Sequence, residues 1–248
     1  MNDDLGNRMK RYEVQTQNVL VPRMPAILRI DGRSFHTFTK GFKRPYDHIL
    51  SECMQEVGWS LLEDISTAVF AYGQSDEVSV LLLDYKNFNT QQWFDGKIQK
   101  IVSTAASLAS CSFNNRFRNE LMGLEQREYY QAIAIKVGTA MFDARIFSIP
   151  EDDVANYFYW RWKDCLRNSV SMAASNEFSH RELQGKSCEE MKAMLREYNN
   201  HKTPWENMPS IFKDGWFIHY LDKHHMSGMR GDIRSLVEEK IKEYLNNE

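Results

Sequence analysis

Cysteine is scarce in this sequence, with four residues among 248. Cys53, Cys111, Cys165 and Cys188 lie far apart and form no C-x-x-C pair. This spacing excludes a dense disulfide framework and the common cysteine-rich zinc sites. The natural setting for such a chain is a reducing compartment.

The chain also lacks an excess of charge, a long apolar run and a basic-then-apolar N-terminus. Its formal net charge is −3, which excludes the strongly basic character of a dedicated nucleic-acid coat protein. Met1–Lys10 is polar and includes Asp3 and Asp4, unlike a signal peptide. No apolar stretch approaches the roughly 20 residues that cross a bilayer. We therefore expect a soluble, cytoplasmic protein with no membrane partner.

Apolar spacing and turn residues in positions 1–150 predict alternating strands and helices. After an N-terminal helix, the predicted order is strand, helix, strand, strand, helix, strand. This is the split βαβ order of the α+β ferredoxin-like fold, an antiparallel sheet with helices on one face, which polymerase palms share. The predicted elements are helix Asp3–Gln17, strand Ala26–Ile30, helix Asp47–Glu63, strands Thr67–Tyr72 and Val78–Asp84, helix Gly96–Phe113 and strand Ala132–Met141.

Beyond Pro150 the pattern becomes mainly helical, so we expect a palm-like catalytic domain over 1–150 and a helical C-terminal region over 151–248 that packs on it. The predicted helices are Asp152–Ala174, Ser187–Tyr198 and Asp232–Leu245, the second opened by a capping box of Ser187 and Glu190. Lys202–Gly215, which is rich in proline and glycine, predicts a loop. His219, His224 and His225 complete no known metal-ligand spacing, and a solvated tail is the simpler interpretation.

Asp31 and Gly32 follow the first predicted strand. An aspartate at a strand end places a carboxylate on a rim, and the glycine beside it allows a phosphate to approach the backbone. Asp-Gly is also a common turn, and this pair alone is explained as well by a turn.

A second acidic group lies in Gly73-Gln-Ser-Asp-Glu77, between two apolar runs that predict a hairpin. Acids at a hairpin tip are usually solvated turn residues. In the palm order, however, the first strand and the hairpin are neighbours, so Asp31 and Asp76 can converge. Two carboxylates with a backbone carbonyl are suitable oxygen ligands for Mg²⁺.

Other residue types admit both a functional and a structural interpretation. Lys97 and Lys100 are three apart on one predicted helix, where a solvated edge is as plausible as a phosphate contact. Trp160 and Trp162 could stack on nucleobases, but aromatic residues near a helix start more often pack. Cys165 has no histidine placed to activate it, so burial is favoured over a role as nucleophile.

Four segments together resemble the tRNA-His guanylyltransferase family, from roughly Asn7 to Gly215. They are Arg29-x-Asp-Gly-Arg-x-Phe-His36, Lys40-Gly-Phe-Lys-Arg-Pro-x-Asp47, Tyr72-Gly-Gln-Ser-Asp-Glu-x-Ser79 and Phe142-Asp-Ala-Arg-x-Phe-x-x-Pro150. The resemblance implies a palm that activates a tRNA 5′ end with ATP or GTP. The 3′-hydroxyl of an incoming nucleotide then attacks, so growth runs 3′ to 5′.

The resemblance also implies roles for individual residues. Asp31 and Asp76 would hold two Mg²⁺ ions with help from the Gly32 carbonyl, and Glu77 would support this catalytic group. The residues implied in nucleotide binding are Gly32, Arg33, Ser34, Phe35, His36, Arg44 and Ser75. Those implied in binding tRNA or phosphate are Lys40, Lys43, Lys97, Lys100 and Asn168. Family members assemble as tetramers, so a homotetramer is expected.

One segment departs from the guanylyltransferases that add G to tRNA-His. Where those read Arg-Gln-x-Asp-Cys-His-Ile-Asn-Asn, this chain reads Arg161-Trp-Lys-Asp-Cys-Leu-Arg-Asn-Ser169. The Arg-Asn-Ser version resembles the bacterial and archaeal like-protein branch, which is associated with template-dependent repair of 5′-truncated tRNAs. G−1 addition to tRNA-His remains an alternative. A palm-domain nucleotide cyclase and a non-catalytic tRNA-binding module are the rivals from other classes.

Overall fold

The computed structural model describes residues 4–122, 128–197, 205–219, 222–227 and 233–246. The strands are β1 Ala26–Gly32, β2 Ala68–Gln74, β3 Glu77–Leu82, β4 Phe142–Ser148, β5 Trp216–His219 and β6 Asp222–Ser227. The α-helices are α1 Asp4–Glu13, α2 Phe35–Phe38, α3 His48–Asp64, α4 Ile98–Leu121, α5 Glu128–Ala134, α6 Glu151–Glu177, α7 His180–Leu183, α8 Cys188–Glu197, α9 Ser210–Asp214 and α10 Ile233–Asn246. Short 3₁₀ turns lie at Val14–Thr16, Trp93–Gly96 and Trp205–Asn207.

All six strands form one antiparallel sheet in the order β4-β1-β3-β2-β5-β6. The first four strands have the ferredoxin-like order, which confirms the predicted α+β palm. β1 is central among them, and its register places Asp31 opposite Glu77 of β3 and opposite Asp143 of β4. The end of β1 therefore meets the β2–β3 hairpin and the start of β4.

Alternation along β1 separates two hydrophobic cores. Leu28 and Ile30 face α3 and α4 in one cluster, whereas Ile27 faces α6 and α10 in the other. The two palm helices thus lie on one face of the sheet, as predicted. Helices from the C-terminal region cover the opposite face, and β5 pairs with β2 to extend the same sheet. No helix in the described part of the chain has the length and apolar character that a membrane span requires.

The predicted strand Ala132–Met141 is wrong. Its first residues end helix α5, residues 135–138 form turns, and the strand begins at Phe142. The apolar run around Ile133 is short enough to fit a strand or a buried helix end, and periodicity cannot separate the two. The true strand carries the clearer signal, since Phe142 and Ile146 are buried while Asp143 and Arg145 are not.

Most other predicted elements are confirmed within a few residues, including the Asp47 cap of α3 and the Ser187–Glu190 capping box. The predicted loop before Gly215 instead contains a 3₁₀ turn and α9. His219 is not in a solvated tail, because it is buried in β5. The predicted ends Asp3, Tyr198 and Asp232, the residues 202–204 and the side chains of His224 and His225 lie outside the described residues.

Trp216 of β5 packs into a notch on the sheet. A Cβ atom built on Gly73 would lie 2.0 Å from the Trp216 indole, and one on Gly58 would lie 2.6 Å from it. We predict that Gly73→Ala lowers the free energy of unfolding by about 1–3 kcal/mol, because the buried ring has little room to move. Urea unfolding measures this. The loss should shrink in a Trp216→Leu background. An equal loss there would mean that crowding against the Trp216 ring is not its cause.

Candidate functional site

Two carboxylates meet where β1 ends. Asp31 is the penultimate residue of β1, and the N–H of the next residue, Gly32, donates to the backbone carbonyl of Asp76 at 2.9 Å. Asp76 shares the two-residue tip of the β2–β3 hairpin with Ser75, whose φ of 48° is in the left-handed region. We call Asp31 and Asp76 the acidic rim. The topology thus brings together two segments that are distant in the sequence.

The acidic rim has unbalanced negative charge. Burial is the main cause that raises the pKa of Asp76, and repulsion from Asp31 raises it further, while a hydrogen bond from Ser75 lowers it. The only ion pair of Asp31 among the described residues is a long contact of 3.9 Å with Arg145. Two neighbouring carboxylates, offset only by this long contact and by the charge of Arg29 acting on Asp76, suit a hard divalent ion with oxygen ligands, so the residues fit Mg²⁺. The described residues contain no group of three or more His, Cys, Asp or Glu side chains that could hold a metal.

Glu77 follows Asp76 directly but its side chain points to the face covered by α6. Its carboxylate receives two hydrogen bonds from Arg161, at 2.7 and 2.6 Å, and pairs with Arg29 at 2.5 Å. Glu77 and Arg161 are both buried. A carboxylate held in this way fixes the base of the hairpin tip, which agrees with a supporting role.

The turn after β1 leads directly into the short helix α2. Ser34 has a left-handed φ of 55°, and the N–H of Arg33 donates to the carbonyl of Met141. The N–H groups of Thr37 and Phe38 donate to the Ser34 carbonyl, so among the described contacts only those of Phe35 and His36 in this turn have no intrahelical acceptor. Phe35 is buried against Phe113, so its side chain belongs to the core and only its backbone can face a ligand. The Phe35 ring would lie 2.4 Å from a Cβ on Gly32, which explains the glycine without any ligand.

A cleft opens beside the hairpin tip, between the segment around Lys43 and the second half of α6. Its volume is about 320 Å³, and a smaller cavity of about 80 Å³ adjoins it. The cleft is lined by Thr39, Phe42, Lys43, Arg44, Pro45, Asp47, Leu50, Ser75, Ser171, Met172, Ser175 and Asn176. The adjoining cavity adds Tyr46, Ser51, Gln74, Cys165, Asn168, Ser169, Ile211, Phe212 and Trp216, and the two share Pro45, Asp47, Leu50, Ser75 and Met172.

The structure brings some of the predicted basic residues to this cleft and separates others from it. Lys43 and Arg44 line the cleft, and Lys40 lies close enough to Lys136 to add to the lowering of its pKa by burial. Lys97 precedes α4 and pairs with Asp95. Because α4 rises 1.5 Å per residue, Lys97 lies about 24 Å before the level of Phe113, which packs at the end of β1. Lys97 and Lys100 are therefore at the opposite end of the sheet.

Several cleft residues were not among the predicted site residues. Asp47 is buried and accepts hydrogen bonds from the N–H groups of Lys43 and Leu50 and from the Tyr129 hydroxyl. Asp47 ends the Lys40–Asp47 segment that resembles the family, and this position in the sequence could have identified it. Met172 and Phe212 come from helices far along the chain, and no local pattern identifies them.

Burial helps to separate the functional from the structural interpretation of Cys165 and of the two tryptophans. Cys165 is buried, and burial is the main cause that raises its pKa to about 12. The predicted burial is confirmed, and a raised pKa disfavours the thiolate that a nucleophile needs. Trp162 is half-buried against the core beneath α6, whereas 54% of Trp160 is exposed. Packing accounts for Trp162 and leaves Trp160 unexplained.

Comparison with known proteins gives a consistent result. The family model for tRNAHis guanylyltransferase matches residues 6–150. The uncharacterized protein R259 of Acanthamoeba polyphaga mimivirus is 30% identical over 231 residues, which are 88% of this chain and 77% of that protein. The tRNA(His) guanylyltransferase of Debaryomyces hansenii is 27% identical, over 85% of this chain and 78% of its own.

Solved structures agree over nearly the whole length. A bacterial tRNA(His) guanylyltransferase (Thg1)-like protein in complex with ATP is 36% identical with a TM-score of 0.84, and it covers 98% of this chain and 100% of its own. A bacterial tRNA(His) guanylyltransferase (Thg1)-like protein in complex with GTP is 33% identical, with a TM-score of 0.74, and it also covers 98% of this chain and 100% of its own. The chain therefore belongs to the tRNAHis guanylyltransferase family and is a nucleotidyltransferase.

Proposed function

We propose that this enzyme adds nucleotides in the 3′–5′ direction to the 5′ end of tRNA and repairs 5′-truncated molecules by copying the opposite strand. The observation that carries the proposal is the acidic rim next to a cleft lined by Lys43 and Arg44. Carboxylates that can hold divalent metal, beside cations that can hold phosphate, are the parts that phosphoryl transfer needs. ATP and GTP are the activating nucleotides, as the bound ligands of two similar bacterial proteins support.

In this proposal Asp31, Asp76 and the Gly32 carbonyl hold two Mg²⁺ ions. Bound there, the ions supply Lewis-acid stabilisation of the charge that develops on the transferred phosphoryl group. The chain's own residues position the substrate. The Gly32–His36 turn holds the triphosphate through the backbone N–H groups of Ser34, Phe35 and His36, because those of Gly32 and Arg33 already donate to backbone carbonyls. Lys43 and Arg44 neutralise phosphate charge.

Glu77 takes no direct part in this scheme. Its carboxylate is occupied by Arg29 and Arg161, so it positions the hairpin tip that carries Asp76. Ser75 lines both the cleft and its adjoining cavity, and Asn168 lines the cavity. In this proposal Ser75 contacts the nucleotide and Asn168 contacts tRNA or a phosphate. The homotetramer, the cytoplasmic location, the division at residue 150 and a tRNA contact by Lys40, Lys97 and Lys100 also stay predictions.

Templated repair is preferred over G−1 addition because of the 161–169 segment. Leu166 stands where guanylyltransferases of tRNA-His have histidine. Ser169, in place of the last asparagine, is buried and accepts a hydrogen bond from the Trp205 indole N–H at 3.1 Å. Neither side chain offers a device for placing G without a template. The incoming base must then be selected by pairing with the RNA.

We therefore predict that 5′-truncated tRNAs are extended with whichever nucleotide completes a Watson–Crick pair. An unpaired incoming base leaves its hydrogen-bonding groups unsatisfied, which costs enough for discrimination of about 10²-fold or more. The measurement is catalytic efficiency for each NTP on tRNAs whose template base is varied through all four identities. Similar efficiency for G opposite every base would replace repair with guanylyltransfer to tRNA-His. A cyclic nucleotide product without RNA would favour the cyclase class.

A further inference from the structure

An exposed aromatic surface lies on the opposite side of the acidic rim from the nucleotide cleft. It consists of Arg145 and Phe147 of β4 and Trp160 of α6, and we call it the β4–α6 surface. Trp160 is 54% exposed and Phe147 is 37% exposed. The buried ring of Tyr157 joins them, with centroid distances of 5.8 Å to Phe147 and 5.9 Å to Trp160. Two large exposed rings in one cluster mark a contact surface more than isolated apolar residues do.

The Trp160 indole is held in place from beneath. The guanidinium of Arg161 lies 4.6 Å from its ring centroid, a cation–π distance. Arg161 is itself fixed by its paired hydrogen bonds to the buried Glu77 carboxylate. The indole is therefore ordered before any ligand arrives, and it presents an exposed aromatic surface to solvent. A preorganised ring loses little entropy on binding.

The register of β4 on β1 relates this surface to the acidic rim. Asp143 is opposite Asp31, and Arg145 is opposite Arg29, two residues further along β4. At about 3.3 Å per residue, Phe147 lies roughly 13 Å from the level of Asp31. Arg145 is half exposed, and its guanidinium lies 3.9 Å from the Asp31 carboxylate. Just beyond Phe147 the chain enters the acidic first turn of α6, which would repel phosphate and so limits the surface at that end.

We propose that the β4–α6 surface binds the RNA substrate, with an unpaired nucleobase near the reacting end stacked on Trp160 and a neighbouring phosphate on Arg145. The inference rests on the proposed function and adds a binding site for the RNA on the side of the rim away from the nucleotide cleft. An exposed, preordered indole with an arginine beside it matches the combination of π-face and negative backbone that single-stranded RNA presents. With the RNA bound on one side of the acidic rim and the nucleotide on the other, the RNA end and the nucleotide meet at Asp31 and Asp76.

The test compares three variants of the full chain. Trp160→Ala removes the ring, Trp160→Phe keeps an aromatic face, and Phe88→Ala is the control, because Phe88 is 97% exposed and lies elsewhere. Binding of a 5′-truncated, 5′-monophosphorylated tRNA is measured by fluorescence anisotropy at fixed salt. Loss of one base–aromatic stack should weaken binding by roughly 5- to 150-fold in Trp160→Ala. Trp160→Phe should recover most of the affinity, and Phe88→Ala should bind the tRNA as tightly as the wild type. The KM for ATP should be the same in all three variants as in the wild type.

Several outcomes would overturn the stacking proposal. They are wild-type affinity in Trp160→Ala, an equal loss in Phe88→Ala, or no recovery in Trp160→Phe. A lower molecular mass of Trp160→Ala in light scattering would assign the surface to a second copy of the chain instead. If Trp160→Ala does not fold, quenching of wild-type tryptophan fluorescence by the tRNA, lost in Trp160→Phe, tests the same contact. If the enzyme binds the tRNA through Trp160 but never extends it, the proposed function is wrong and the RNA-binding site is still supported.

Discussion

Replacing Asp76 or Asp31 with asparagine is expected to reduce nucleotide addition to tRNA by about 10³-fold or more. Each change removes one anionic oxygen ligand from the site where the reacting phosphates would be held, and the lost charge stabilisation amounts to several kcal/mol at about 1.4 kcal/mol per tenfold in rate. Both the activation step and the transfer step should fail, since they use the same rim. Single-turnover assays with Mg²⁺ as the only divalent ion measure the two steps separately.

The fold should survive the Asp76→Asn change. The hydrogen bond between the N–H of Gly32 and residue 76 uses a backbone carbonyl, which asparagine keeps. Burial and the charge of Asp31 both raise the pKa of Asp76, so a neutral side chain is tolerated there at least as well as a charged one. Thermal unfolding without metal should therefore give a midpoint equal to or above that of the wild type.

Asp143 provides a matched control for this prediction. It lies opposite Asp31 in the β1–β4 register, is 57% exposed and pairs with Arg145. Asp143→Asn removes a carboxylate from the same end of the sheet without touching the rim, and activity should stay within a few-fold of wild type. A wild-type rate in Asp76→Asn, or an equal loss in Asp143→Asn, would mean that the rim does not hold the catalytic metal.

The parts of the site that could be predicted from sequence are those with local signals. An aliphatic run that stops at Asp31-Gly32 identifies a strand end, and a short polar stretch between apolar runs identifies the hairpin tip at Asp76. The strand order then follows from the order of elements, because few topologies connect them without crossing. The meeting of Asp31 and Asp76 needs no further information.

The parts that could not be predicted depend on contacts between distant segments. Asp76 and Glu77 are neighbours in sequence, and their side chains point to different faces of the sheet because successive strand residues alternate. The partner of Glu77 is Arg161, which is 84 residues away on α6 and has no local signal. The cleft takes Met172 and Phe212 from helices whose packing has no local signature. β4 was misplaced because the buried Ile133 closes a helix with an apolar run as short as a strand.

The buried cluster around Arg161 leads to the second large effect. Arg161 donates two hydrogen bonds to Glu77 and one, at 3.1 Å, to Asp164, and its side chain is 6% exposed. Removing one partner of a buried ion pair leaves the other charge without compensation in a poorly solvated place. Arg29 still contacts Glu77 in such a variant, but it cannot replace the paired geometry that Arg161 provides.

We expect Arg161→Ala to lower the free energy of unfolding by about 3–5 kcal/mol, measured from urea unfolding curves. Arg167→Ala is the control, because Arg167 also pairs with Asp164 but is 66% exposed, and an exposed pair contributes about 0–1 kcal/mol. Adding Glu77→Gln should recover part of the Arg161→Ala loss, since the stranded charge is then removed. If Arg161→Ala cost no more than Arg167→Ala, the pair would not be what fixes the hairpin against α6, and the positioning role of Glu77 would have to be abandoned.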